Sequence, residues 1–508
     1  TVICSDKTGT LTRNEMTAVS VETADASYGV EGSGYNPEGR IFQDNKDAKE
    51  EMNIDENLAL KHFLQVATLC NVAELVEDER GQWRVLGSPT EGALKALGLK
   101  GNMGELDQTQ LDGVPFDSEY KYRITLHRIA DKHYILVSGA PDRLIVLSKE
   151  QMKADGQTEP IDPKLWDEKI AFRADQGQRM LGCAMKLIDE PHERVGHDDL
   201  NDGLIFLGVA GIIDPPRPEA IEAVKVCQKA GITVKMITGD HLLTARSIGR
   251  AMGIEEGQTA LSGADLEDMN DAEFQEAVKT CNIFARTSPE HKLKLVNALQ
   301  ANGEICAMTG DGVNDAPALK KADIGIAMGI KGTEVTKDAA AMVLADDNFA
   351  SIASAVEEGR TIYDNLRKTL LFMLPTNCAE ALVILVAMIF SMSMPITPVQ
   401  ILWINMVTAV TLGIALAFEP SESNVLSRPP LDPKASIIGR YFGFRIIFVS
   451  IIVGALTFLS FVLRKGQGED FARTVAINSL VFGELFYLFN CKKIHEAVIG
   501  KSLITNKI

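Results

Sequence analysis

The sequence is poor in features that would mark several common classes of protein. None of its eight cysteines stands in a C-x-x-C pair, and they are scattered without paired spacing. That argues against a disulfide framework and against a cysteine zinc site, and it fits reduced thiols in a cytosolic compartment. Positive charge is in deficit: 51 Lys and Arg against 69 Asp and Glu leave a net charge of −18. A chain of that balance offers no surface for a polyanion, so no nucleic-acid partner is expected. There is no initiating Met and no signal peptide. The opening Thr1-Val2-Ile3-Cys4 reads as the middle of a buried strand, which suggests a fragment without its true N-terminus. From Ala381 to Phe418 charge is absent altogether.

What is present divides the 508 residues in two. Up to about residue 350 the chain is mixed and charged. From about Leu370 it turns apolar in blocks. The break at 391–398 separates two blocks, roughly 366–390 and 396–418, and Tyr441–Leu463 and about Phe471–Asn490 supply two more. Each is near the ~20 residues that cross a bilayer, so four membrane helices are expected. Arg428, Lys434, Arg440, Lys492, Lys493 and Lys501 fall on one side by this count. The excess of positive charge puts that side, with the polar domains, in the cytosol.

The polar part has an α/β rhythm. Residues 2–5 form a short strand ending at Asp6. From about Gly208, strands at 234–237, 283–285, 305–308 and 323–328 alternate with helices, notably one through Met252 and one over 289–299. Such alternation predicts a parallel, doubly wound sheet with ligands at the carboxyl ends of its strands. Asp6, Asp240 and Asp311 fall at such ends. If the first strand joins this sheet, residues of about 20–205 are inserted into it, with Asp44 to Asp55 as an exposed loop or helix. The expected domains are therefore 1–19 with 206–350, an insertion at 20–205, and a membrane region at 351–508.

Four short motifs carry chemistry. Asp6-Lys7-Thr8-Gly9-Thr10-Leu11-Thr12 offers a strand-end carboxylate that can attack phosphorus, a glycine for a tight turn and hydroxyls for phosphate oxygens. Thr309-Gly310-Asp311-Gly312-Val313-Asn314-Asp315 adds two carboxylates and an amide, hard oxygen ligands suited to Mg²⁺. Thr238-Gly239-Asp240 brings a hydroxyl and a third acid, and Lys292 a balancing cation. Each alone reads as a loop or a solvated face; four in one α/β region do not.

With these residues the chain resembles a P-type ATPase of the cation-pumping branch that includes calcium and sodium/potassium pumps. Asp214-Pro215-Pro216-Arg217 and a first span bearing Asn377 and Glu380 extend the likeness over nearly the whole chain. The resemblance implies a haloacid-dehalogenase-like phosphorylation domain with an inserted α+β nucleotide-binding domain, then a helical membrane region. It implies ATP as substrate, Mg²⁺ as cofactor and Asp6 as phosphate acceptor. Lys7 and Asp240 join the catalytic set. Mg²⁺ would sit on Asp6, the Thr8 carbonyl and Asp311, with Asp315 in support. Thr238, Gly239, Lys292 and Asn314 would hold the phosphate. Carried over to the nucleotide are Glu91, Phe116, Lys121, Gly139 and Arg179, with Asp214 and Arg286. Phe116 would stack on adenine, and Lys121 and Arg179 would meet phosphates. Without the family, Phe116 reads more often as a buried strand residue.

For the transported cation the resemblance supplies Asn377, Glu380, Asn405, Thr408 and Glu484. The first two are spaced i, i+3, as are the next two. Pro375 should free a backbone carbonyl one turn earlier. Three departures stand out. Ser138 replaces the Lys that usually precedes Gly139-Ala140, which removes a cation from the pocket mouth. Tyr122-Arg123 follows Lys121 where relatives differ, so adenine packing there has no template. Ala409 stands where the calcium and sodium/potassium pumps usually have Asp, so at most one divalent ion, or a monovalent one, is expected per cycle, with Ca²⁺ the first choice. The resemblance also implies a multi-pass protein of the plasma membrane. Its partners would be the lipid bilayer, the cation, and an actuator domain and further helices of the same protein. No T-G-E-S string occurs here, so this segment alone is expected not to pump. Alternatives are a haloacid-dehalogenase-type phosphatase or a pump for a monovalent cation. The phosphatase should carry an acid two residues after the nucleophile, where Thr8 stands.

Overall fold

In the computed structural model, residues 1–494 are described except 45–48, 52, 80, 82, 104–107, 189–192, 202 and 255–259. The fold divides into two units, one formed by Val2–Lys225 and Thr233–Phe349, the other by Thr1, Val226–Ile232 and Ala350–Ile508.

The first unit holds two large sheets. One has seven strands among the described residues, all parallel. Its order is Ala260–Ser262, Ile283–Ala285, Thr233–Ile237, Val2–Asp6, Cys306–Gly310, Ile324–Met328, Met342–Leu344. The apolar run Val2-Ile3-Cys4 is buried on both sides, as a central parallel strand requires. Its neighbours are Thr233–Ile237 and Cys306–Gly310, so Asp6, Asp240 and Asp311 come to the carboxyl ends of three adjacent strands. The helices Asp271–Thr280 and Pro289–Ala301 close one face over a core of Phe274, Phe284, Leu295 and Leu299. Ser288 caps the second of them by accepting from the His291 amide.

The other sheet is largely antiparallel and has eleven strands among the described residues. It runs from Lys49–Glu51 through Ile41–Asp44, Ser27–Val30, Thr17–Glu22, Leu204–Ile213, Arg179–Ile188, Lys132–Gly139 and Tyr122–Ile129 to Gln108–Val114. The expected boundaries at 20 and 205 fall inside two of these strands. Backbone pairing of 17–22 with 204–213 marks where the chain enters and leaves this layer, and composition does not register it. The expected loop or helix near Asp44–Asp55 is also different. Ile41–Asp44 and Lys49–Glu51 pair as edge strands, with the residues between them outside the described set.

Period-two alternation gives this sheet two cores. Tyr122, Ile124 and Leu126 face Trp166, Phe206 and Leu144. On the other side Leu136, Cys183 and Met185 pack under the helix Leu58–Leu69. His127 lies on this second side, 1% exposed, with Nδ1 at 2.7 Å from Gln108 Oε1.

In the second unit, among the described residues, four helices are long and apolar enough to cross a membrane: Phe349–Ile389, Pro398–Ala417, Arg440–Gln467 and Glu469–Cys491. The first starts well before the apolar block and has 41 residues. At 1.5 Å per residue it is about 60 Å long, roughly twice the hydrocarbon thickness. No proline interrupts 349–374, so the helix continues out of the apolar stretch. At its polar end Lys368 pairs with Glu422 at 3.2 Å, both nearly inaccessible, and Asn365 donates to the Glu419 carbonyl at 2.6 Å. Lys501, one of the basic residues used for orientation, lies outside the described residues.

Burial holds the His127 imidazole neutral, its pKa pushed down to about 4. In an unfolded chain the group returns to about 6.5, so the unfolded state binds the proton more tightly. Stability is then complete above that window and falls as pH drops from about 6.5 towards 4, by up to about 3 kcal/mol. Hydrogen exchange of the Tyr122–Ile129 and Lys132–Gly139 amides, corrected for intrinsic rates, should show this slope, and His127→Gln should flatten it.

Candidate functional site

The chain turns sharply after Asp6. Gly9 has φ +75°, and a Cβ there would sit 2.5 Å from the Lys331 amine, so only glycine fits. The turn brings the Thr8 amide back to Asp6 Oδ1 at 3.3 Å. The Asp6 amide donates to Thr309 Oγ1 on the neighbouring strand at 2.9 Å. Arg217 holds the far side, with Nε to the Thr12 carbonyl at 3.1 Å and Nη2 to the Gly9 carbonyl at 3.3 Å.

Lys292 stands between two acids. Its Nζ lies 2.7 Å from Asp6 Oδ2 and 2.9 Å from Asp315 Oδ1. Burial works against its charge, but Asp6 and Asp315 outweigh it and hold the pKa above that of a free lysine. Asp315 Oδ2 accepts from the Asp311 and Gly312 amides at 3.3 Å each. Carboxylate oxygens of Asp6, Asp311 and Asp315 all lie within 4.8 Å of one another. Burial, then Asp6 and Asp315, push the Asp311 carboxyl upward. One lysine therefore leaves the trio short of positive charge, and a hard divalent cation fits that deficit. These residues fit Mg²⁺.

The other members of the set are placed more variously. Thr238 is buried, its hydroxyl accepting from the Asp240 amide at 3.1 Å, while Gly239 borders open space. Thr8 and Asn314 are exposed beside the acids. Lys7 does not face Asp6. It is buried and pairs with Asp214 at 2.9 Å and Asp240 at 2.8 Å. Burial opposes its charge, but Asp214 and Asp240 prevail and keep it raised. Asp214, expected among nucleotide ligands, is instead committed to Lys7 and to Thr12 Oγ1 at 2.6 Å. Arg286 sits exposed just past the strand Ile283–Ala285, where its amide donates to the Asp240 carbonyl at 3.1 Å. Sequence reasoning missed Thr309 and Arg217 as supports of the turn. Both lay inside motifs already singled out, which was the available signal.

A second cluster gathers at one end of the antiparallel sheet. The Ala140 amide donates to the Lys121 carbonyl at 2.9 Å, and Gly139 pairs with Tyr122 and Gly182 in register. A Cβ on Gly139 would meet the Lys121 carbonyl at 2.5 Å. Phe116 is 55% exposed, so it is no core residue. Lys121, with φ +64°, and Arg179 are also open to solvent. Glu91, on the first turn of the helix Pro89–Lys100, pairs with Arg123 at 3.1 Å.

The membrane unit carries a third. Asn405 donates to Glu380 Oε2 at 2.8 Å between the first and second helices. Glu484 lies against Thr408 and within electrostatic range of Glu380. Glu380 Oε1 and Glu484 Oε2 are buried oxygens without a hydrogen-bond partner among the described residues. Thr408 also donates to the Ile404 carbonyl at 3.0 Å. Asn377 is exposed and does not join them. The carbonyl that Pro375 frees, that of Leu371, accepts from the Tyr487 hydroxyl at 2.9 Å.

Lys292→Met removes the cation that, among the described residues, pairs with Asp6 and Asp315. Titration calorimetry should then find Mg²⁺ bound more tightly, and inorganic phosphate in the presence of Mg²⁺ bound more than about tenfold more weakly, because a charge-assisted contact is worth about 1.5–3 kcal/mol.

Three family models match the chain: P-type ATPase cytoplasmic domain N at residues 59–219, haloacid dehalogenase-like hydrolase at 292–356, and cation transporting ATPase C-terminus at 393–508. Among curated relatives, the cation-transporting ATPase pma1 of Synechocystis is 43% identical over 98% of this chain and 56% of its own length. The calcium-transporting ATPase of Bacillus subtilis is 39% identical over 97% of this chain and 56% of its own. The calcium-transporting ATPase type 2C member 2 of Rattus norvegicus is 34% identical over 100% of this chain and 53% of its own. The chain thus spans a little over half the length of the relatives it matches. Domain by domain and along nearly its whole length, it belongs to the cation-transporting P-type ATPases.

Proposed function

We propose that this chain carries the catalytic centre and part of the ion path of an ATP-driven cation pump, working through phosphorylation of Asp6. The observation that carries the reading is the Asp6 carboxylate at its strand end, ion-paired to Lys292 beside Asp311 and Asp315. In the reaction an Asp6 oxygen attacks the γ-phosphorus of ATP. The new O–P bond forms as the bond to the β-phosphate oxygen breaks, and ADP leaves with that electron pair. Lys292 offsets charge on the transferred group. The Thr8 amide and hydroxyl, Thr238, Gly239 and Asn314 are its hydrogen-bonding neighbours. Asp6, Asp311, Asp315 and the Thr8 carbonyl would hold or support Mg²⁺, which when bound supplies positive charge against the phosphate oxygens. Lys7, Asp214 and Asp240 position the turn that presents Asp6. Thr8 in place of a second acid leaves the acyl phosphate without a local base, so it persists. That distinguishes a pump from a phosphatase of similar fold.

ATP would be brought by the antiparallel layer, with Phe116 stacked on the base and Lys121 and Arg179 towards the phosphates. The transported cation would be held by Glu380, Asn405, Thr408 and Glu484, with Asn377 at the margin. Buried carboxylates inside a helical bundle default to such a role. Ca²⁺ is the first choice of ion, supported by relatives that are named calcium-transporting. Arg428, Lys434, Arg440 and Lys492 flank the helices on the side assigned to the cytosol. Coupling is the work of the whole protein and needs two global states that both ion and phosphate bias.

In the intact protein, γ-labelled ATP with Mg²⁺ should give an acid-stable, hydroxylamine-labile label. Its persistence in Asp6→Ala would refute the mechanism. Among Ca²⁺, Mn²⁺, Na⁺, K⁺ and H⁺, one ion should stimulate the label, and Glu380→Gln should shift that ion's half-maximal concentration upward at least tenfold. An unchanged dependence would remove Glu380 from the ion site.

A further inference from the structure

The loop after the strand Ile324–Met328 borders the catalytic site and carries a cation that lies outside all four motifs. Hydrogen bonds fix its backbone. The Ile330 and Lys331 amides donate to the two carboxylate oxygens of Asp347, at 3.0 Å and 2.9 Å, and Asp347 is itself 2% exposed. The chain folds so tightly at Gly332 that a Cβ there would stand 1.9 Å from the Met328 carbonyl. The Thr333 amide then donates to the Asp311 carbonyl at 3.0 Å, which ties the loop to one acid of the trio.

From this loop the Lys331 side chain runs across the Asp6 turn. Its Cδ, Cε and Nζ lie 3.3, 3.5 and 2.5 Å from where a Cβ of Gly9 would be, so the bare Gly9 backbone is what lets the amine come in. Lys331 is exposed and pairs with no carboxylate among the described residues. Lys292, Lys7 and Arg217 are engaged, on Asp6 and Asp315, on Asp214 and Asp240, and on the Thr12 and Gly9 carbonyls. Packing of an apolar stem on Gly9 would not need the charge at its tip. We infer that Lys331 is a second phosphate-binding residue of the site. Lys292 meets Asp6 at Oδ2, whereas the turn meets it at Oδ1 through the Thr8 amide, and Lys331 lies on the turn. A phosphoryl group on Asp6 thus has one cation locked among the acids and another on a flexible stem with its charge uncommitted. Lys331 contacts phosphate oxygens as a charge, with no bond broken and no proton moved. This rests on the reading of Asp6 as phosphate acceptor and adds to it a binding residue.

Three variants separate charge from packing. Lys331→Met keeps the stem over Gly9 and removes the charge, and Lys331→Arg keeps the charge. Lys337→Met is the control, since Lys337 lies on the following helix Glu334–Ala339 and is paired with Glu334 at 2.9 Å. Titration calorimetry of the full chain in detergent would measure Mg²⁺ alone, then inorganic phosphate at saturating Mg²⁺. Lys331→Met should weaken phosphate by about fivefold or more, as loss of a charge-assisted contact requires, and leave Mg²⁺ bound no more weakly than in wild type. Lys331→Arg and Lys337→Met should stay within about twofold of wild type for phosphate. The proposal is overturned if Lys331→Met also stays within that range. It is equally overturned by an equal loss in Lys331→Arg, which assigns the effect to packing on Gly9, or by an equal loss in Lys337→Met, which assigns it to net charge. A loss of Mg²⁺ affinity in Lys331→Met overturns it too, because displaced acids would then be the cause. A wild-type chain that binds Mg²⁺ and no phosphate overturns the reading of the Asp6 site along with the proposal, a result distinct from a variant that behaves like wild type.

Discussion

Lys292 is surrounded by carboxylates, and the arrangement of the catalytic sheet follows from that imbalance. One buried cation faces Asp6 and Asp315 directly, with Asp311 alongside. Burial, and then like charges packed this closely, disfavour ionisation and push the Asp311 carboxyl upward. The sheet tolerates that frustration because its strands are short, parallel and buried; pairing fixes Asp6 and the strand that ends just before Asp311, and Asp315 follows on the short helical turn Val313–Asp315. Frustrated charge at the end of a rigid sheet is the arrangement expected where a ligand completes the balance. Binding of a divalent cation and a phosphate group would relieve in one step what folding leaves unresolved.

Around this centre the chain separates presenting a group from using it. Lys7 follows Asp6 in sequence, yet its charge is spent on Asp214 and Asp240. Those contacts, with Arg217 on the Thr12 and Gly9 carbonyls, tie the turn to the segment that returns from the antiparallel layer. The layer therefore enters and leaves at a point braced by buried ion pairs and by pairing of Thr17–Glu22 with Leu204–Ile213. Burying Lys7 with two partners is tolerable where burying it alone would not be, because a buried charge without a partner carries its full desolvation cost.

Legibility in the sequence followed the distance over which each contact acts. The strand ends bearing Asp6, Asp240 and Asp311 were readable because apolar runs and the motifs that end them are local. Phe116 is exposed, where the sequence without the family favoured a buried strand residue. Long-range pairing was not readable. Nothing near Lys7 announces Asp214, 207 positions away, and nothing near Pro375 announces Tyr487, whose hydroxyl takes the freed Leu371 carbonyl. The i, i+3 spacing of Asn377 and Glu380 put both on one side of a helix. Packing then covered Glu380 and left Asn377 exposed. The first membrane helix outran its apolar block because hydropathy marks the bilayer, whereas helix length depends on where the hydrogen-bond ladder is broken.

The membrane unit poses the same electrostatic problem as the catalytic sheet, with a different outcome. Glu380 and Glu484 are each nearly inaccessible, and each keeps one oxygen without a partner, while Asn405 and Thr408 offer only neutral dipoles. Among the described residues no lysine or arginine stands against these acids as Lys292 does against Asp6. The nearest buried cations of that unit, Lys368 and Lys492, are already paired with Glu422 and Glu419. A carboxylate in such surroundings must take up a proton or a metal ion, since it has no fixed counter-charge. On the proposed reading, catalysis would benefit from a permanent cation, because the phosphate that arrives is negative. Transport would benefit from having none, because the cargo itself would be the missing positive charge and would have to be able to leave.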